Sequence, residues 1–239
     1  MSKIKLDDRL SKVAGLVRNG KRVADIGTDH GYLVAYLVEN GICPEGIAAD
    51  LRKGPLENAR QTVIQQGLSD KIRLILSDGL MNIPEESCDD IVIAGMGGNL
   101  IAEILDKAPW VKNENIHIVA QPMTHAEVLR QWFIDNGFEI VKEKTATDGK
   151  RYYCIISAAY TGASETHGLS YIYTGEIKPE TDTDINYLRK ILTAMSKKYN
   201  ALMSADKEDN DNLKEIIDEI KVLLGEGNYD NCKNDFRLY

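Results

Sequence analysis

Four short stretches of this chain place acidic residues and glycines where they can do chemistry. The first is Asp25-Ile26-Gly27-Thr28-Asp29-His30-Gly31, which reads as an apolar strand leaving through a glycine turn into a helix. A dinucleotide site would want glycines where Asp29 and Tyr32 stand, because a pyrophosphate needs close backbone approach there. Dinucleotide binding is therefore disfavoured. Nineteen residues after Gly31 comes Asp50, at the end of a second strand, where a carboxylate can accept both hydroxyls of an adenosine ribose. Asp78-Gly79 puts another carboxylate after a third strand, where an adenine amino group would lie. Gly95-Met96-Gly97-Gly98 leaves a fourth strand with little side-chain bulk. Together these stretches describe one crevice.

Other candidates carry less. The histidines His30, His117, His125 and His167 lack metal-ligand spacing. Cys43, Cys88, Cys154 and Cys232 show no C-x-x-C pair, so they read as reduced, mostly buried thiols rather than a disulfide framework or a zinc site. No Ser-His-Asp or Cys-His arrangement stands out. Thr124 and Glu127 have capping-box spacing around His125. Asp29, just before a helix, suits an N-cap as well as it suits catalysis.

The elements that must position these residues follow from hydrophobic periodicity. Leu6, Leu10, Val13, Leu16 and Val17 recur at helical spacing and predict an amphipathic helix ending near Asn19-Gly20. Strands are predicted at 22–27, 46–50, 72–77, 90–94, 116–121, 138–144 and 152–160, with helices at 31–40, 55–66, 100–107 and 126–136. Near-continuous apolar strands such as Ile91-Val92-Ile93-Ala94 belong in a parallel sheet covered on both faces. The two successive strands at the end predict a hairpin, so the fold class is α/β, a doubly wound sheet finishing in an antiparallel edge strand. Its ligand crevice lies at the carboxyl ends of the central strands. Beyond residues 161–181, a linker rich in Gly, Ser, Thr and Pro, a heptad seam runs through Ile185, Leu188, Leu192, Met195, Tyr199 and Leu202. Leu213, Ile216, Ile220 and Leu223 continue the spacing after the polar loop 204–210. Two helices folded back as an antiparallel coiled-coil hairpin are expected over 182–239, tail included, beside a main domain over 1–160. The carboxylate-rich loop lacks the central glycine and closing glutamate of an EF-hand, so it reads as solvated.

The whole chain of 239 residues carries 29 basic and 37 acidic residues, a net charge of −8, which excludes a protein that coats nucleic acid. Residues 1–22 run against that balance, with Lys3, Lys5, Arg9, Lys12, Arg18, Lys21 and Arg22 against Asp7 and Asp8, or +5. A local phosphate footprint and a solvated helix face both fit this excess. No apolar run approaches the roughly 18 residues of a membrane span, and the basic start leads into no signal-peptide core, so a cytoplasmic address is expected.

Leu6-x-x-Arg9-Leu10, Ala24-Asp25-Ile26-Gly27-Thr28-Asp29-His30, Gly54-Pro55, Asp78-Gly79-Leu80, Ile93-Ala94-Gly95-Met96-Gly97-Gly98 and Gln121-Pro122 resemble the bacterial tRNA (adenine-N1)-methyltransferase family acting on D-arm adenine 22. The resemblance covers residues 6 to 160 or so. It implies a Rossmann-like, class I methyltransferase that uses S-adenosylmethionine and acts on tRNA, with no metal and no obligate protein partner. It also implies a cofactor site made of Asp25, Gly27, Asp29, His30, Gly31, Asp50, Leu51, Asp78, Gly79 and Gly95. Asp29 is the candidate catalytic carboxylate, and Arg9, Lys12, Tyr152 and Tyr153 are candidates for tRNA contact, the tyrosines either stacking on a flipped base or serving as edge-strand aromatics. One departure is visible: Gln121-Pro122-Met123 stands where the family usually has Gln-Pro-Asn. A class I methyltransferase acting on a small molecule or protein, and a non-catalytic RNA-binding module that keeps the cofactor site, are the alternatives.

Overall fold

The computed structural model describes residues 3–163, 166–204 and 211–226, so Cys232, most of the polar loop and the carboxyl-terminal tail lie outside the described residues. The chain divides into two compact units, Met1–Thr166 and His167–Tyr239, a boundary that falls inside the expected linker.

In the first unit seven strands form one sheet: β1 (Val23–Ile26), β2 (Gly46–Asp50), β3 (Ile72–Leu76), β4 (Asp90–Gly97), β5 (His117–Thr124), β6 (Phe138–Asp148) and β7 (Arg151–Tyr160), in the order β3-β2-β1-β4-β5-β7-β6. The first five are parallel, and β7 runs antiparallel to both its neighbours. One expectation is corrected here. The antiparallel strand is interior, because the hairpin returns between β5 and β6 and leaves β6 at the edge. Five helices connect and cover the sheet: α1 (Asp8–Ala14), α2 (Tyr32–Glu39), α3 (Lys53–Gln65), α4 (Gly98–Asp106) and α5 (Ala126–Asp135). β1 is buried at every position, as an apolar strand between two others and under helices must be. The helix α1 is shorter than its periodicity predicts and stops at Gly15, but Leu16 and Val17 still enter the core.

Acidic residues at the amino end of β4 consume much of the amino-terminal charge. Arg18 donates from its backbone N to Asp90 Oδ2 and from Nε to Asp90 Oδ1, both at 2.7 Å, and Asp90 is fully buried. Arg22 makes the same kind of clamp on Asp89, and its guanidinium holds that carboxyl down to about 2. Charged hydrogen bonds of this kind register the amino-terminal segment on the sheet.

The second unit contains α6 (Tyr171–Thr174), α7 (Asp182–Ser204) and α8 (Asp211–Leu223). Thr181 and Asp184 cap α7 reciprocally: the Asp184 N–H donates to Thr181 Oγ1 at 3.2 Å and the Thr181 N–H to Asp184 Oδ2 at 2.9 Å. Leu188, Leu213, Ile216 and Ile220 of the expected seam are buried. Arg189, early in α7, pairs with Glu226, just past α8, at 2.8 Å, which brings the end of α8 beside the early turns of α7.

Candidate active site

A cavity of about 540 Å³ opens at the carboxyl ends of the parallel strands, where the order reverses on either side of β1. Asp25, Gly27, Asp29, His30, Asp50, Leu51, Asp78, Gly79 and Gly95 line it. Residues scattered over 70 positions of sequence thus meet in one place, while Gly31, also expected there, does not line the cavity.

Three carboxylates differ in environment. Asp50 is 7% exposed, and its Oδ1 accepts the Arg52 N–H at 2.9 Å while Oδ2 accepts the Asp29 N–H at 3.4 Å. A carboxylate offers about four lone-pair positions, so Asp50 is fixed by the backbone and retains acceptor capacity toward the cavity. Asp25 is buried behind the loop and accepts the Thr28 hydroxyl at 2.6 Å. Burial pushes its carboxyl up to about 6, against the Thr28 hydrogen bond and with a further push from Asp50. Asp78 is exposed at the cavity rim.

Backbone conformation shapes the rest. Asp29 has φ 51°, in the left-handed region that Asp and Asn enter more readily than other residues with a Cβ. The N-cap of α2 is Gly31, at φ 69°, and Asp29 does not cap the helix. The capping alternative is thereby overturned, because two left-handed residues turn the chain before the helix begins. A Cβ at Gly31 would sit 3.0 Å from the Ala59 Cβ, so α2 starts hard against α3. The expected capping box at Thr124 is absent too: Thr124 ends β5, and His125, at φ 54°, precedes α5 without a side-chain cap.

Gly95 explains the glycine-rich end of β4. It is the extra residue of a bulge between Ala94 and Met96, with φ 82°, and it leaves an N–H outside the ladder. Gln121, fully buried on β5, accepts that N–H through Oε1 at 3.1 Å. The same Oε1 accepts Arg9 Nη1 at 2.7 Å, while Nε2 donates to the Pro122 carbonyl at 3.0 Å and approaches Met123 Sδ at 3.7 Å. A buried amide this fully partnered holds three chain segments in register. Met123 fills the position of the family's asparagine with a weak sulfur acceptor.

The comparisons with known proteins now bear on this geometry. A family model described as a methyltransferase domain matches residues 6–156. The tRNA (adenine(22)-N(1))-methyltransferase of Bacillus subtilis (strain 168) is 32% identical over 237 residues, covering 93% of this chain and 97% of that protein. The chain belongs to this family. Among solved structures, the B. subtilis m1A22 tRNA methyltransferase TrmK superposes with a TM-score of 0.75 at 26% identity, over 93% of this chain and 97% of that one. M. capricolum TrmK, solved with S-adenosylhomocysteine, gives 0.74 at 27% identity, over 92% and 98%.

For a tRNA (adenine(22)-N(1))-methyltransferase the expected tRNA contacts are placed unevenly. Lys12 is exposed on α1, beside Lys142 and Lys144 of β6. Lys144 donates to the Gly15 carbonyl at 3.2 Å, and burial followed by the charges of Lys142 and Lys12 presses its ammonium below the usual lysine range. Arg9 is turned inward onto Gln121 and lines the cavity instead of standing on the basic face. Tyr153 is only 4% exposed on β7, so its ring is core and offers no stacking surface; Tyr152 is half-buried. Lys142 and Lys144 escaped sequence reasoning, because they alternate with Glu143, which turns to the opposite side and pairs with buried Arg130 at 2.9 Å. Among the described residues no group of three His, Cys, Asp or Glu is arranged to hold a metal ion, and no helix is long and apolar enough to cross a membrane.

Proposed function

We infer that this chain transfers the methyl group of S-adenosylmethionine to N1 of adenine 22 in tRNA, the activity of the family to which it belongs. The observation that carries the reading is the backbone-fixed Asp50 carboxylate facing a cavity that also gathers Asp78 and the tight turns at Gly27 and Gly95. That donor set fits a nucleoside cofactor. Asp50 would take the ribose hydroxyls through charge-assisted hydrogen bonds, with Leu51, Asp78 and Gly79 around the adenine. Gly27 and Gly95 would let the backbone approach the amino-acid end, and Asp25 would brace the loop from below through Thr28.

When bound, S-adenosylmethionine supplies a methyl carbon already made electrophilic by its sulfonium. The chain's own residues then have to position the acceptor and exclude water. The N1 lone pair lies on the Watson–Crick edge, so adenine 22 must leave its stack to react. Positive charge passes to the base as the new C–N bond forms. Asp29, at the cavity edge with its carboxylate turned to solvent, would stabilise that charge by accepting from the exocyclic amino group. Lys12, with Lys142 and Lys144, would carry tRNA phosphates, and the helical hairpin would add shape recognition. The protein would work in the cytoplasm without an obligate protein partner.

The test is methylation of total unmodified tRNA by the purified chain, followed by mapping of the modified nucleoside. One methyl at N1 of adenine 22 is expected. Methyl transfer to protein or a small molecule, or RNA binding without transfer, would select one of the alternatives.

A further inference from the structure

The rim of the cavity carries a feature that no site residue yet explains. The rings of His30 and Tyr32 stack with centroids 5.3 Å apart and planes 9° from parallel. Residues two apart reach the same side because Gly31 between them is left-handed, at φ 69°, and Asp29 before them is too. The His30 side chain is 46% exposed and Tyr32 47%, so about half of each remains open to solvent. Both line the cavity. Two half-exposed aromatic rings at the mouth of a cavity offer a ligand a flat apolar surface with a polar edge.

The topology says which ligand meets it. The cofactor carboxylates Asp50 and Asp78 follow β2 and β3, on one side of β1. On the other side, the ends of β4 and β5 contribute Met96 and Met123, apolar and soft. The stack stands where the loop after β1 enters α2, between these halves. Beside it, Asp29 Oδ2 lies 3.5 Å from His30 Nε2, so a carboxylate acceptor stands at the edge of the His30 ring. A flat aromatic surface with a carboxylate beside it matches a purine that presents an amino group, as adenine does at position 6 where guanine has a carbonyl.

Resting on the adenine-N1 reading above, we propose that the His30–Tyr32 stack is the platform that receives the extruded adenine, with its 6-amino group held against the Asp29 carboxylate. Extruded bases are held by stacking between aromatic or apolar side chains and by hydrogen bonds to their Watson–Crick edge. The platform replaces the expected role of Tyr153, which lies in the core, and moves His30 from the cofactor to the base. Both residues position the substrate; neither exchanges a proton with it.

The experiment compares Tyr32→Phe with Tyr32→Leu, and His30→Phe with His30→Ala, by single-turnover methylation of saturating tRNA. Affinity for S-adenosylhomocysteine is measured by calorimetry and folding by thermal melting. The phenylalanine variants keep a ring and should retain most of the rate. The leucine and alanine variants should lose on the order of five- to 150-fold, the range of base–aromatic stacking, with cofactor affinity and melting temperature unchanged. A Tyr32→Leu rate equal to that of Tyr32→Phe overturns the proposal, as does a loss of cofactor affinity in step with rate. If the wild-type chain forms no 1-methyladenosine in tRNA, the underlying reading falls and takes the platform with it, a failure visible before any variant is compared.

Discussion

Replacing Asp29 by asparagine removes one negative charge and, with it, the charged part of the Asp29 Oδ2–His30 Nε2 contact. Asparagine tolerates the left-handed backbone that Asp29 occupies at φ 51° about as well as aspartate does, whereas alanine would add strain. The Asp29 N–H that reaches Asp50 Oδ2 belongs to the backbone and survives the change. The amide still accepts a hydrogen bond from the base or from His30, so the main loss is the Coulomb interaction with a base becoming cationic. At about 5 Å that interaction is roughly 0.8 kcal/mol in bulk water and about 3 kcal/mol at an effective dielectric of 20. The free Asp29 side chain is 63% exposed, near the first limit, and a base and tRNA laid over it move the site toward the second. The expected rate loss therefore lies between about fourfold and about 150-fold. Single-turnover methylation of saturating tRNA measures it, with cofactor affinity and melting temperature as controls. A wild-type rate would show that Asp29 takes no part in charge stabilisation, and a parallel fall in cofactor affinity would place it in the cofactor site.

Three further outcomes follow from the geometry. Asp50→Ala should weaken cofactor binding by about 1.5–3 kcal/mol in calorimetry, the scale of hydrogen bonds to a charged group; unchanged affinity contradicts its assignment. Asp25→Asn should stabilise the fold increasingly as pH rises from about 4 to 6 and hold that gain above. The buried carboxyl is lifted from 3.8 to about 6, so ionising it across that window costs the folded wild type up to about 3 kcal/mol that a neutral amide avoids; a melting-temperature difference that does not vary with pH would refute this. Charge reversal at Lys12 and Lys142 should weaken tRNA binding and flatten its salt dependence by about one unit of slope per lost phosphate contact; an unaltered slope would make the patch a solvated face.

Local chemistry was legible in the sequence wherever short range decided it. The strand ending at Asp50 matches its expected bounds, and the glycines after β1 and within β4 mark turns that only positive φ permits. Most of what escaped depends on distant partners. Seven cations in the first 22 residues look like one basic face, yet Arg18 and Arg22 answer Asp90 and Asp89, and Arg9 answers Gln121, 112 positions away. Likewise, no local rule says that β7 inserts between β5 and β6 instead of continuing outward. Asp29 precedes a helix in every periodicity argument, and only the left-handed pair at Asp29 and Gly31 removes it from the cap. The same pair stacks His30 on Tyr32, a contact that neither helix nor strand spacing suggests.

The docking of α1 also sets an order of events in the making of the protein. Arg9 needs Gln121, Lys144 donates to Gly15, and the Thr147 N–H donates to Asp8 Oδ2 at 2.9 Å across 139 residues of chain. At a synthesis rate of about 5–20 residues per second, Asp8 emerges roughly 7 to 28 seconds before its partner exists. Until then that hydrogen bond is open, although Gln121, which holds Arg9, and the α2, β4 and β5 residues Val34, Val92 and Val119, which share a core with Val13, are already made. The contacts of Asp8 and Gly15 with β6 are therefore the last part of this docking to close, after the cavity residues from Arg9 to Met123 have all been synthesised.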